Sequence, residues 1–243
     1  SHRIATFKHK KTESLLNLIP GGHFTTPTNY LDAEDDTEQN IYVPPLLVGQ
    51  TAVSQKSWDL IGGYDDRRFD HPDLPIEGVS WHAVQHWLNK AGDELRLLSS
   101  IEWEYACRGG STTEFCFGQN ITTELVNYNG FYPYMDGPDG VYRNKTIATA
   151  SLAPNSFGLY QFHGNVWEWC QDNYIYSGLD NSTSHLPRFY DEESEIDERV
   201  VRGGAWGYDA ESCRSFVTSC EDAHYEDEVT GFRLAKTIGL IPS

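Results

Sequence analysis

The residues able to do chemistry crowd into the last fifth of the chain. Positions 205–230, between Arg202-Gly203-Gly204 and Gly231-Phe232-Arg233, contain no Leu, Ile, Met or Lys, and carry seven acidic residues against the single Arg214. Trp206, Tyr208, Phe216 and Tyr225 offer rigid rings, while Asp209, Ser212, Ser219, Asp222, His224 and Asp227 offer short hydrogen-bonding groups; Glu211, Glu221 and Val229 complete the candidate contact set. Rings with a polar handle plus short adaptable side chains make up a ligand surface. Its acidity predicts a partner with a basic patch, a protein ligand in the first instance, held by salt-sensitive contacts. The run fits neither the helical nor the strand period, which predicts mostly loop. Elsewhere, His82 and His86 stand at helical i,i+4 spacing, a pattern that metal sites use, but without a third ligand nearby they read as a polar helix face. Acidic runs at 32–38 and 191–198 read as solvated loops unless their carboxylates converge on a cation.

These groups must be positioned by a scaffold of 243 residues with a formal charge of −18. Charge of this sign disfavours nucleic acid and anionic membranes, and no apolar run approaches the roughly 20 residues of a membrane span. Aromatics are 13% of the residues, too many rings for a disordered acidic chain. Five cysteines, an odd number in a chain able to bury a core, argue against a disulfide scaffold and favour a reducing, cytoplasmic compartment, with surface display compatible with a recognition role. Sequons stand at Asn120, Asn144 and Asn181, a motif short enough to occur by chance. The Ser1-His2 start leaves open a segment ahead of residue 1.

Three helices are predicted. Ser54 caps residues 55–61 before Gly62, Ser80 caps 81–91 before Gly92, and Ser99 with Glu102 forms a capping box ahead of a helix that ends at Gly109. Short strand-like runs occur at Tyr42-Val43, 45–48 and Arg199-Val200-Val201, while Gly and Pro interrupt everything longer. The fold class is α+β and rich in loops.

Several phrases carry a family resemblance when taken in order. They are Pro20-Gly21-Gly22-x-Phe24, Gly78-Val79-Ser80-Trp81, Glu102-Trp103-Glu104-Tyr105-Ala106, Ala153-Pro154-Asn155-x-Phe157-Gly158, Gly164-Asn165-Val166-Trp167-Glu168-Trp169, Arg202-Gly203-Gly204-x-Trp206 and Gly231-Phe232-Arg233. Together they resemble the formylglycine-generating-enzyme (sulfatase-modifying factor) family. The resemblance covers about residues 18–237, leaving 1–17 as an extension or linker, and implies an irregular C-type-lectin-like fold.

The family includes copper oxidases that convert a substrate cysteine to formylglycine, iron enzymes of thiohistidine synthesis, and non-catalytic relatives. The oxidases hold copper(I) between two thiolates. Here the second aligns with Cys213, but the first falls on Tyr208, a hard phenol that cannot complete a soft sulfur pair, so copper is not expected. Positions 200–235 instead resemble the variable region of diversity-generating-retroelement variable proteins, in which asparagine codons of the AAY type are rewritten at both adenines. Gly207, Tyr208, Asp209, Ser212, Ser219, Cys220, Asp222, His224, Tyr225, Asp227 and Val229 all carry residues reachable that way, whereas Glu211, Glu221, Glu226 and Glu228 do not, and Thr218 stands where arginine is usual. The resemblance thus implies a non-enzymatic ligand-binding protein; the alternatives are a metal-dependent oxidase or its inactive homologue. It also implies calcium at Gln161, Gly164, Val166 and Glu168, and at a second set of Asn127, Tyr128, Asp139 and Val141.

Overall fold

In a computed structural model, the described residues are 4–27, 38–174 and 197–239. The acidic stretches 32–37 and 191–196 and the sequon at Asn181 lie outside them.

The strands are β1 (Thr6–Lys8), β2 (Leu15–Ile19), β3 (Gly22–Pro27), β4 (Glu38–Val43), β5 (Leu46–Ala52), β6 (Trp167–Asn173), β7 (Glu198–Arg202), β8 (Thr218–Asp222) and β9 (Thr230–Thr237). Seven of them form one sheet in the order β1-β2-β5-β9-β6-β7-β8, and β3 and β4 form a separate antiparallel pair. Every neighbour in the large sheet is antiparallel except β6 and β9, where Trp167 faces Thr230 and Trp169 faces Phe232. Residues 6–8 and 15–17, read from the sequence as an extension, pair within this sheet.

The helices α1 (Gln55–Ile61), α2 (Trp81–Ala91) and α3 (Ser100–Arg108) form where the serine caps and glycine stops predict. In the capping box the Ser99 hydroxyl accepts from the Glu102 amide at 3.2 Å and the Glu102 carboxylate accepts from the Ser99 amide at 2.9 Å.

Rings make the core. Trp58 of α1 and Trp87 of α2 stack with centroids 5.6 Å apart, and Phe232 of β9 meets both edge-on. Their polar edges are satisfied internally: Trp87 donates to the Trp58 carbonyl, Trp81 to that of Cys170, and Trp169 to that of Val79.

Residues 205–230 are mostly loop, as their lack of a period predicts, with two short regular pieces that the lack of a period did not announce: Glu211–Cys213 form a 3-10 turn, and Thr218–Asp222 pair with β7 from Arg202↔Thr218 to Glu198↔Asp222 as the edge of the sheet. The main-chain edge of β7 supplies the partner that no periodicity within Thr218–Asp222 announced, and the acidic residues Glu221 and Asp222 suit an edge strand.

Candidate functional site

The C-terminal segment leaves β7 through Gly203 and Gly204, with φ of +100° and +73°. A Cβ on Gly204 would lie 2.6 Å from Cys213 Sγ, so the chain can turn back on itself there only without a side chain. Arg202, fully buried, donates to the carbonyls of Ser215, Phe216 and Val217 and to the Thr218 hydroxyl. Its other nitrogen meets Glu104 at 2.7 Å. One guanidinium thus fixes the path of the chain into β8.

Above this anchor the candidate contact residues separate into two groups. Tyr208 and Tyr225 are exposed, at 40% and 50%, and the Tyr208 ring stands edge-on over buried Trp167 at 5.4 Å. Burial pushes the Tyr208 phenol up, and the negative charges of Asp227 and Glu221 add to the shift. Asp227 and Glu221 are themselves pushed up, first by burial and then by acidic neighbours, Glu228 for one and Asp227 with Glu198 for the other. Neither makes an ion pair with a described residue. The exposed Tyr208 phenol thus lies in an acidic neighbourhood, in which Asp227 accepts from the Val229 amide at 3.2 Å.

The other contact candidates are structural or peripheral in their observed contacts. Trp206 is buried, donates to the Glu228 carbonyl at 3.1 Å, and packs against Tyr142 and Phe69. It supports the surface from below, because its indole N–H finds its partner inside. Asp209 accepts from the Ser212 amide and hydroxyl, and Glu211 pairs with Arg214 at 2.6 Å. Arg214 in turn covers Phe216, 4.6 Å from its ring centroid. Val229 accepts from the Trp167 amide and packs on the core. Ser219 and Asp222 sit on β8, and His224 occupies the turn that follows it, its amide donating to the Asp222 carboxylate.

Sequence reasoning missed the wall beside this surface. Phe131, Tyr132, Met135 and Val141 are each more than 60% exposed, and Phe131, Tyr142 and Trp206 form a chain of ring contacts leading to the C-terminal segment. The clustering of Tyr and Phe at 131–134 was its available signal.

Cys213 is fully buried among Phe115, Val126, Tyr128 and Tyr134, and its thiol donates to the Asp209 carbonyl at 3.5 Å. Burial pushes this thiol far up, the opposite of what a thiolate ligand needs. Cys220, partly exposed on β8, is pushed up to about 11. His163 donates to the Cys213 carbonyl at 2.7 Å and accepts from the Cys116 amide, a neutral imidazole serving the core.

The two calcium sets differ. Glu168 is buried, and both of its oxygens are taken, by Arg233 at 2.7–3.1 Å and by the Trp103 indole at 2.8 Å. Gln161 accepts from Asn165 and donates to the Ala148 carbonyl. With a guanidinium already in place, Gln161, Gly164, Val166 and Glu168 do not fit a cation. The second set differs in keeping one oxygen open. Asn127 spends its amide N–H groups on Asn165 and the Lys145 carbonyl, leaving its side-chain oxygen buried without a partner. The loop carrying Asp139 and Val141 is tied to Gly130 and Thr123, with Gly140 donating to the Gly130 carbonyl at 2.7 Å and Val141 to the Thr123 hydroxyl at 3.0 Å. The orphaned Asn127 oxygen is a hard donor, whereas Asp139 stands exposed on its loop.

An α+β, C-type-lectin-like scaffold with an aromatic core and an acidic, ring-bearing C-terminal surface is the class of protein this geometry defines. The model of the sulfatase-modifying factor enzyme 1-like domain matches residues 3–238, and the chain belongs to that family. It is 30% identical to the formylglycine-generating enzyme of Thermomonospora curvata over 204 residues, covering 79% of this chain and 65% of that enzyme's length. PvdO from Pseudomonas aeruginosa shares the fold with a TM-score of 0.78 at 23% identity, over 98% of this chain and 100% of that one. Treponema denticola variable protein 1 does so with a TM-score of 0.73 at 20% identity, over 97% and 99%. No helix among the described residues is long and apolar enough to cross a membrane.

Proposed function

We propose that this chain is a non-enzymatic ligand-binding protein whose positions 200–235 form a diversified surface, as in the variable proteins of diversity-generating retroelements. One observation carries the reading: the Tyr208 ring stands exposed, edge-on over buried Trp167, in an acidic neighbourhood that includes Glu221 and Asp227, neither of which has an ion pair among the described residues. A Lys or Arg side chain of a protein ligand would relieve that charge and lie against the rings. The scaffold suits such a role, because Arg202, Gly204 and the Trp206 indole hold the main chain while the Tyr208 and Tyr225 rings stand exposed. The oxidase reading asks for a copper(I) thiolate pair, and here Tyr208 replaces one thiol and the other is sealed in the core. We further assign Asn127, Tyr128, Asp139 and Val141 as a structural calcium site.

The test titrates the protein with an oligolysine peptide and, separately, an oligoglutamate peptide at low and high salt. Salt-sensitive binding of oligolysine alone, lost in the Glu221→Gln/Asp227→Asn double variant, is the expected result. No binding of oligolysine, or binding unchanged in the double variant, overturns the assignment of the surface. Formylglycine formation in a cysteine peptide by the copper(I)-treated protein would restore the oxidase.

A further inference from the structure

The histidine pair legible in the sequence separates in the fold, and one member finds a different partner. His86 is exposed on α2, whereas His82 in its first turn directs Nε2 at Asp197 Oδ2, 3.0 Å away. From the turn after β8, His224 directs Nδ1 at the same oxygen, 3.3 Å away. The two imidazole rings lie with centroids 4.5 Å apart, and the three ligand atoms are all within 4.8 Å of one another.

We propose that His82, Asp197 and His224 bind a divalent transition metal of the zinc class, clipping the β8–β9 turn to the start of helix α2. Two imidazole nitrogens and one carboxylate oxygen are the ligands such ions prefer, and they are too soft a set for calcium or magnesium. The spacing is right as well. Tetrahedral zinc with bonds of about 2.0–2.1 Å places its ligands about 3.3 Å apart, close to the 3.0 and 3.3 Å separations from Asp197.

The carboxylate is held from behind. Arg199 donates to the other oxygen, Oδ1, at 3.3 Å while its guanidinium lies 4.1 Å from the centroid of the Trp81 ring, which leaves Oδ2 directed at the two histidines. The Asp197 carbonyl accepts from the Ala223 amide at 2.7 Å, so the turn bearing His224 is already tied to the residue that bears the carboxylate. Asp222 Oδ1 lies 3.2 Å from His224 Nδ1 and accepts the His224 amide, adding a second negative group beside the cation. The side chains are 36%, 28% and 73% exposed for His82, Asp197 and His224, so an ion can enter and a water can complete the coordination.

His82 and Asp197 belong to the scaffold, whereas His224 lies within the positions proposed to vary. The site therefore depends on the side chain at one such position, but its existence does not rest on the ligand-binding reading.

The experiment strips the full chain of metal with a chelator and titrates it with zinc(II) against a chromophoric competitor. One equivalent is expected to bind, with affinity lowered by about tenfold or more in both His82→Ala and His224→Ala. His86→Ala and Cys220→Ser are expected to bind as the parent does, which separates the site from its helix neighbour and from the most accessible thiol. His224 is on an exposed turn, so His224→Gln serves if His82→Ala fails to fold. Cobalt(II) loading gives an independent readout, with visible absorption of tetrahedral type that disappears in the histidine variants. Failure of the parent to bind zinc at micromolar concentration, or parent-like affinity in the His224 variant, overturns the proposal.

Discussion

Arg202 of β7 and Glu104 of α3, both fully buried, meet at 2.7 Å beneath the C-terminal surface. Glu104 also receives Arg108 at 2.8 Å and the Thr26 hydroxyl at 2.9 Å, so the pair joins the β3 end, helix α3 and the entrance to β8. Removing Arg202 takes one arginine from Glu104 and strands the buried carbonyls of Ser215, Phe216 and Val217 without their donor. Arg202→Met should therefore lower the unfolding free energy by about 3–5 kcal/mol, measured by urea denaturation. Tyr208→Ala, exposed above the same anchor, should cost little by the same measurement while removing oligolysine binding. A large loss of stability from Tyr208→Ala would place that ring in the framework and not on the surface.

Glu77 gives the fold a pH dependence on the alkaline side. It is fully buried, accepts from the Arg68 and Phe69 amides through one oxygen, and leaves the other without a partner. Burial pushes its carboxyl up to about 7 from 4.5. The folded state holds the proton more tightly than the unfolded chain, so this contribution is full below about pH 4.5 and is lost as pH rises through about 7. Glu77→Gln should flatten the fall in melting temperature between pH 5 and pH 8, the interval about which that titration is centred. An unchanged slope in the variant would show that Glu77 does not carry it.

His163 acts on the opposite side. Burial holds its imidazole neutral, down to about 4 from 6.5, while it donates to the Cys213 carbonyl. The unfolded chain takes up this proton first, so the contribution is present above about pH 6.5 and is lost as pH falls through about 4. Thermal melts across that window should show an acid-side loss that His163→Gln diminishes, after allowance for the variant's lower starting stability. Equal acid sensitivity in parent and variant would rule His163 out as its source.

Calcium separates the two sets of oxygen ligands. Adding it to chelator-treated protein should raise the melting temperature by ligand linkage. Asp139→Asn should abolish that rise, since Asp139 brings the only carboxylate of the second set. Glu168→Gln should destabilise the fold through loss of the Arg233 pair and still respond to calcium. A calcium response lost in Glu168→Gln and kept in Asp139→Asn would reverse the assignment.

Much of the scaffold was legible in the residues. Ser54, Ser80, Ser99 and Glu102 announce their helix starts because capping is local chemistry, complete within four residues. Strand β8 was not legible, because Thr-Ser-Cys-Glu-Asp becomes a strand only when β7 offers its edge. The same distinction runs through the site. Glu168 reads as an oxygen ligand from its motif, but Arg233, far along the chain, occupies both its oxygens. Trp206 reads as a contact ring from its type, and only the fold shows its indole N–H turned inward to Glu228. His82 was visible with its helical neighbour His86, whereas its convergence with Asp197 and His224 exists only after the sheet has formed.

Sequencing the codons for positions 200–235 across many independent copies of this gene tests the central claim most directly. The account predicts substitutions concentrated at Tyr208, Ser219, Cys220, Asp222, His224, Tyr225 and Asp227, with Arg202, Gly204, Cys213 and Arg233 unchanged. An invariant segment, or changes spread evenly over surface and framework positions, would contradict it.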